Sequence, residues 1–293
     1  MQPKEFLIKL NVCRGLGIIS KYRLWKIAAE RYEFDDMVTI TRIANINGKV
    51  RERFLSAWSS QETETAYQRN CQMPLITIVD ALYPELLKRI YCPPLVLYFM
   101  GNRHLLKSSC LAVVGARQMT SYARQSLQQL LPPVIQRHIT VVSGLARGVD
   151  GLSHEITLQH GGRTIAVVGN GLNRIYPPEH DRLQRQIKRH GLLISEYPLD
   201  TPSLPHHFVE RNRIIAGLAD ACLIVEARKR SGSLITANLA LKENRNVLAI
   251  PGPINSEQSL GCNELIASGA RPILNANDIL EELGNRFYKL QND

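Results

Sequence analysis

The residues best equipped for chemistry stand directly after short apolar runs. Gly115-Ala116-Arg117 follows LAVV, and Ser143-Gly144-Leu145-Ala146-Arg147-Gly148-Val149-Asp150 follows TVV. Gly169-Asn170-Gly171 follows TIAVV, Ser195-Glu196-Tyr197 follows LLI, and Glu226 follows CLIV. Glycine lets a backbone approach a ligand closely, and hydroxyl and guanidinium groups donate to oxygens. Two helix starts are expected as well. Glu210-Arg211-Asn212-Arg213 would open the helix RNRIIAGLA, and Ser231-Gly232-Ser233 would open SLITANLALK. A helix start offers unpaired N–H groups and a partial positive charge, which suits an anion. Arginine adds a forked donor matched to phosphate oxygens. Taken alone, Ser-Gly-Ser is equally a plain helix cap and the arginines a solvated surface. Together, after successive apolar runs, they point to an anion site.

Several enzyme signatures fail. The Gly-x-x-x-x-Gly-Lys-Ser/Thr phosphate loop is absent. Gly169-Asn170-Gly171 begins a dinucleotide fingerprint, but Arg174 stands where the last glycine belongs, and Tyr176-Pro177-Pro178 turns the chain. Ser143, Asp150 and His154 suggest a triad without the Gly-x-Ser-x-Gly elbow, so Asp150 reads better as a helix-start carboxylate. His206-His207 has no further ligands at zinc spacing. The six cysteines, Cys13, Cys71, Cys92, Cys110, Cys222 and Cys262, form no Cys-x-x-Cys, and Cys110 and Cys222 read as core. No metal and no cofactor is expected.

The elements that must position these residues follow from the apolar pattern. LAVVG (111–115), TVVSG (140–144), TIAVVGNG (164–171), LLISEY (192–197), CLIVEA (222–227) and VLAIPG (247–252) alternate with amphipathic stretches. Continuous apolar strands mean burial on both faces, hence a parallel sheet with crossover helices. The fold class is therefore α/β, a Rossmann-like, mostly parallel sheet domain over 71–290. In such sheets ligands bind beyond the carboxyl ends of the strands. Residues 71–110 are a transition holding a strand at LVLYF (95–99). Residues 1–70 show only three-to-four spacing, in FLIKLNV, YRLWKIAAERY, ITRIANI and VRERFLSAW, and read as a small all-helical domain. The boundary falls at the polar run SSQETETAYQRN. Within the helical part, Leu10 and Arg14-Gly15-Leu16-Gly17-Ile18 have the look of a helix-hairpin-helix turn, or of a simple connector.

Charge narrows the partner class. The chain carries +10 overall with 36 Lys/Arg and 26 Asp/Glu, and is unevenly charged. Residues 101–230 hold 17 Lys/Arg against 9 Asp/Glu, and residues 231–293 hold 5 against 7. A basic middle suits a polyanion and an acidic tail does not. No run of eighteen apolar residues and no secretory signal is present, so a cytoplasmic protein without a membrane partner is expected.

The segments YPELLKRIYCPPLVLYFMGN, VVGARQMTSYA, VVSGLARGVDGLSH, TIAVVGNGLNRIYPPEH, SEYP, FVERNRIIAGLA, VEARKRSGSLITANLA and VLAIPGPINSEQSLGCNELIASGA occur in this order over residues 77–275. In them the chain resembles the DNA-processing protein A family (DprA/Smf). The resemblance implies a cytosolic homodimer that binds single-stranded DNA cooperatively, without nucleotide hydrolysis. It implies loading of a RecA-type recombinase onto strands taken up in natural transformation. Carried onto this sequence, the DNA contacts would be Gly115, Arg117, Ser143, Gly144, Arg147, Arg211, Asn212, Arg213, Ser231, Gly232 and Ser233, with Arg182 as a further basic candidate. Arg117, Arg211 and Ser231 would hold phosphates, Tyr176 and Phe208 would offer packing surfaces to bases, and Phe208 reads equally as a core residue. Leu265, Ile266 and Ile273 would anchor dimer or recombinase contacts, or belong to an ordinary amphipathic packing face. The sequence departs from the family in having Val209 where proline is common. It ends at ILEELGNRFYKLQND, where many members continue into a winged helix. The helical residues 1–70 match the family's sterile-alpha-motif-like domain in placement.

Two other readings compete. Phosphoribohydrolase-like nucleotide enzymes share the strand pattern but use Pro-Gly-Gly-x-Gly-Thr-x-x-Glu, and SGSLITANLA has no such glutamate. A duplex regulator would need a helix-turn-helix or winged helix, which the sequence reading does not supply.

Overall fold

The computed structural model describes the backbone of residues 1–290 and side chains through residue 284. Five helices come first: α1 (Pro3–Val12), α2 (Ile18–Arg31), α3 (Met37–Ile43), α4 (Gly48–Trp58) and α5 (Gln61–Cys71). Their apolar faces meet around Phe6, whose ring lies 5.5 to 6.4 Å from those of Trp25, Phe34 and Trp58. Pro3 at the first helical position and Glu5 bonding back to Gln2 N at 2.9 Å start α1. Gly15, at φ +96°, takes the left-handed turn between α1 and α2.

The rest alternates. The strands are β1 (Leu75–Thr77), β2 (Val96–Gly101), β3 (Cys110–Val114), β4 (Thr140–Ser143), β5 (Thr164–Val167), β6 (Leu192–Ser195), β7 (Ala221–Ile224), β8 (Asn246–Ala249) and β9 (Arg271–Pro272). The helices are α6 (Glu85–Lys88), α7 (Ser121–Gln136), α8 (Val149–Gln159), α9 (Asp181–His190), α10 (Pro205–Leu218), α11 (Gly232–Lys242), α12 (Leu260–Ala267) and α13 (Ala276–Leu290), with short 3₁₀ turns at Arg103–Lys107 and Pro178–His180. Every residue of β3 through β7 is buried, as continuous Val/Ile runs demand of strands covered on both faces. Cys110 and Cys222 are core residues.

The sheet runs β1-β2-β6-β5-β4-β3-β7-β8-β9, parallel from β6 to β9. The chain builds β3 to β6 in one direction, then returns to place β7 on the other side of β3. Where the order reverses, neighbouring loops diverge and leave a crevice at the carboxyl edge. The strand expected at 95–99 is β2, and it joins the same sheet antiparallel to β6. One apolar cluster runs from Phe6 in α1 to Cys262 in α12, so the helical residues pack on a sheet face. Among the described residues, no helix is long and apolar enough to cross a membrane.

Candidate nucleic-acid interface

A cleft of about 590 Å³ opens at the reversal between β3 and β7. One wall is the β3–α7 turn with Gly115 and Arg117, and another is the amino end of α11 with Ser231, Gly232 and Ser233. The first turns of α10 close it with Phe208, Arg211 and Asn212, with Asp150 buried at its base and Arg147 at its rim. A Cβ on Gly115 would lie 2.7 Å from a Val149 methyl, so glycine there lets α8 start tight against β3.

Arg211 is the buried cation of the site, 3% exposed. Its Nη1 donates to Val167 O at 2.9 Å, and its Nε has no partner among the described residues. Gly144 makes room for it, because a Cβ there would fall 1.6 Å from Nη1. Asp150, also buried, accepts from Gly144 N at 3.0 Å. Burial raises the Asp150 carboxyl above its ordinary range, with Arg211 opposing. Burial lowers Arg211 to about 10, with Asp150 opposing, so the guanidinium is charged at neutral pH.

Arg117 is exposed, and its guanidinium carbon lies 5.7 Å from the Phe208 ring centroid. Phe208 is half-buried and 5.0 Å from the ring of Tyr176, 33° apart in plane. The two rings and the cation make a wall that is apolar on its face and positive at its rim. Opposite, Ser231 and Ser233 share a hydroxyl bond of 2.8 Å. Neither side chain caps α11, so its first N–H groups stay directed at the cleft with the positive end of the helix. A polyanion backbone finds here fixed donors, two separate guanidinium groups and an aromatic surface, which is the chemistry of single-strand binding grooves.

Several expected contacts lie elsewhere. The helix carrying Arg211 and Arg213 begins at Pro205, not at Glu210, because proline at the first helical position already has the helical φ. Both arginines are therefore interior helix residues on buried faces. Arg213 Nη2 donates to both Glu196 oxygens at 2.6 Å, in a buried ion pair outside the cleft. Ser143 is fully buried and donates to Val113 O at 2.6 Å, stitching β4 to β3. His154 bonds Thr164 Oγ1 at 2.6 Å, so Ser143, Asp150 and His154 make no relay. Glu226 holds Thr120 N at 3.0 Å and its hydroxyl, at the start of α7. Arg182 is exposed on α9, in a separate groove between α8 and α9. Arg147 is exposed at the cleft rim and paired with Glu179. Ile273 is 2% exposed and packs with Ile279 and Leu283 in its own core, so it presents no surface to a partner. Leu265 and Ile266 are half-buried against the core.

The cleft also holds Arg228 and Gln258, which motif reading passed over. The signal for Arg228 was available in the basic triplet Arg228-Lys229-Arg230 just before Ser231. Gln258 arrives from a loop thirty residues later.

Comparison with known proteins identifies the family. A family model described as DNA recombination-mediator protein A matches residues 74–284. The DNA processing protein DprA of Streptococcus pneumoniae is 42% identical over 211 residues, 72% of this chain and 74% of that one. Protein Smf of Escherichia coli is 42% identical over 79% of this chain and 63% of its own length. The X-ray structure of the S. pneumoniae DprA superposes with a TM-score of 0.87 at 34% identity, covering 96% of this chain and 98% of that one. A structure of DNA processing protein A from Helicobacter pylori, described by its single-stranded DNA binding mode, gives 0.65 at 30% identity, covering 74% and 99%. Motifs, fold and these matches agree, and the chain belongs to the DNA recombination-mediator protein A family.

Proposed function

We propose that this chain binds single-stranded DNA by its phosphate backbone in the β3/β7 cleft and delivers the strand to a RecA-type recombinase. It does so as a cytoplasmic homodimer, on DNA entering by natural transformation, and without catalysing a reaction of its own. The observation that carries the reading is the wall formed by Arg117, Phe208 and Tyr176 facing the uncapped start of α11. Arg117 and Arg211 meet phosphates, Ser231, Gly232 and Ser233 donate to them, and the two rings take bases. The H. pylori relative's described binding mode supports it. The cleft's one lining carboxylate, Asp150, is buried and bonded to Gly144 N, which gives little support to glycoside cleavage. Leu274 and Ile254, 72% and 89% exposed, are apolar residues open to a dimer contact near the acidic end.

The test is a titration of single-stranded against duplex oligonucleotide at two salt concentrations, for the wild type and Arg117→Ala. Tight, single-strand-preferring binding is expected. Loss of Arg117 weakens it for every sequence and lowers the salt slope by about 0.7, the share of one phosphate contact on a single strand. Binding indifferent to strandedness and to Arg117 would overturn the reading. Delivery is read separately, as faster recombinase filament growth on strands pre-coated with single-strand binding protein.

A further inference from the structure

The opposite edge of the sheet carries a second concentration of positive charge. Four segments precede β3, β4, β5 and β6, and these strands are adjacent in the sheet. The segments are residues 102–109, 137–139, 160–163 and 188–191, and none contains Asp or Glu. They contribute Arg103, Lys107, Arg137, Arg163 and Arg189, all exposed. Among the described residues none of these five has a carboxylate within ion-pair distance, although fourteen ion pairs form elsewhere. Asp220, at the start of β7, holds Cys110 N at 2.8 Å.

The segments are tied into one surface. Asn102 N donates to Gly191 O at 2.9 Å, Thr140 N to Ser109 O at 2.8 Å, and Val141 N to Arg163 O at 3.0 Å. Three strand spacings separate the starts of β3 and β6 by about 14 Å, and residues 102–109 run across that width from Gly191 to β3. Part of the charge has a local role, since α7, α8 and α9 end at this edge and basic residues complement their negative poles. That accounts for Arg137 and Arg189. It leaves Arg103, Lys107 and Arg163, which belong to no α-helix.

We infer that this amino edge is a second docking surface for a nucleic-acid phosphate backbone, separate from the cleft. A protein partner would want an apolar or aromatic anchor, and none of the four segments exposes a large hydrophobic side chain. A phosphate backbone needs only spaced cations on an accessible surface.

Short single-stranded oligonucleotide is titrated to saturation at low salt, and strands bound per chain are counted for four proteins. The wild type is expected to take two strands per chain. The double variant Lys107→Glu/Arg163→Glu keeps the cleft strand and loses the other, with at least about tenfold weaker second binding from two reversed contacts. Arg117→Ala keeps the edge strand and weakens the cleft strand. A second edge variant, Arg103→Gln/Lys107→Gln, repeats the loss in case charge reversal unfolds the chain, and thermal melting checks all four. One strand per wild-type chain, lost with Arg117, would overturn the second surface and leave the cleft reading standing. Two strands per chain in both edge variants would also overturn it. So would binding of a polyglutamate peptide, in place of a second strand, that both edge variants abolish, because the occupant would then be an acidic protein segment. Failure of every protein to bind any strand would overturn both readings.

Discussion

The first turns of α10 are a partition between two grooves, and charge separates the grooves more tellingly than size. Pro205, Phe208 and Val209 face the cleft at the β3/β7 reversal. His206, His207 and Glu210 face a groove of about 890 Å³ between the sheet edge and the α1–α5 helices. The second groove is the larger, but its cations are mostly engaged. Arg14 pairs with Glu62 at 3.0 Å, and Lys21, lowered to about 8 by burial, donates to Asn11 O at 2.6 Å. Glu196 and Glu210 also line it. In the smaller cleft the single lining carboxylate among the described residues is buried, Arg147 and Arg228 pair with Glu179 and Glu257, and Arg117 stands exposed with no ion pair among the described residues. The lesson is that a polyanion site is recognised by donors left unengaged by the protein, not by volume.

The sharpest break of this contrast is Arg213→Ala. Arg211 and Arg213 are two residues apart on α10, yet one lines the cleft and the other neutralises buried Glu196. Removing Arg213 leaves that carboxylate buried and unpaired, at a cost of about 3–5 kcal/mol. Urea unfolding should show the loss, while the folded fraction binds single-stranded DNA as before. A stable variant with impaired binding would place Arg213 in the cleft instead.

Gly144→Ala strikes the other side. The added methyl occupies the place of the Arg211 guanidinium and forces it out. Overpacking costs about 1–3 kcal/mol of stability. The displaced charged contact costs about 1.5–3 kcal/mol of strand affinity, read by fluorescence anisotropy. If affinity were unchanged, Arg211 would not act from the position it holds.

Much of this was legible in sequence, and the gaps have physical causes. Runs such as LAVV and CLIV had to be doubly buried strands, and the glycines and serines after them had to meet at the carboxyl edge. Ser231 read correctly as the start of α11. The start of α10 is hidden in sequence because Pro205 opens a helix here, whereas the same residue elsewhere ends one. The Arg213–Glu196 pair joins residues 17 apart in sequence, and no local pattern announces it. Strands β1 and β9 have three and two residues, too few to show a period. Ile273 and Leu274 are adjacent apolar residues, and sequence does not tell that the first is buried and the second exposed.

Phe208→Ala separates stacking from charge within the cleft. The ring packs with Tyr176 and lies under Arg117. Loss of a stacked base costs about 1–3 kcal/mol and leaves the salt slope nearly unchanged. The paired salt series on the wild type and the variant checks this. An unchanged affinity would make Phe208 a packing residue that merely props Arg117.

Arg53→Ala carries the smallest expected effect and tests the comparison from its weak side. Arg53 is exposed in the second groove and, among the described residues, has no ion pair. It is the cation there best placed to attract a strand. The other cations of the groove are engaged, Arg14 with Glu62 and Lys21 with Asn11 O, and Glu210 also lines it, so a phosphate gains little by approaching. Stability should stay within about 0.5 kcal/mol, as for most exposed substitutions. Strand affinity should change by less than about twofold, a small fraction of a charged contact. A larger loss at low salt would mean that the strand crosses the α10 partition and runs under the helical domain, and the two grooves would then be one continuous path.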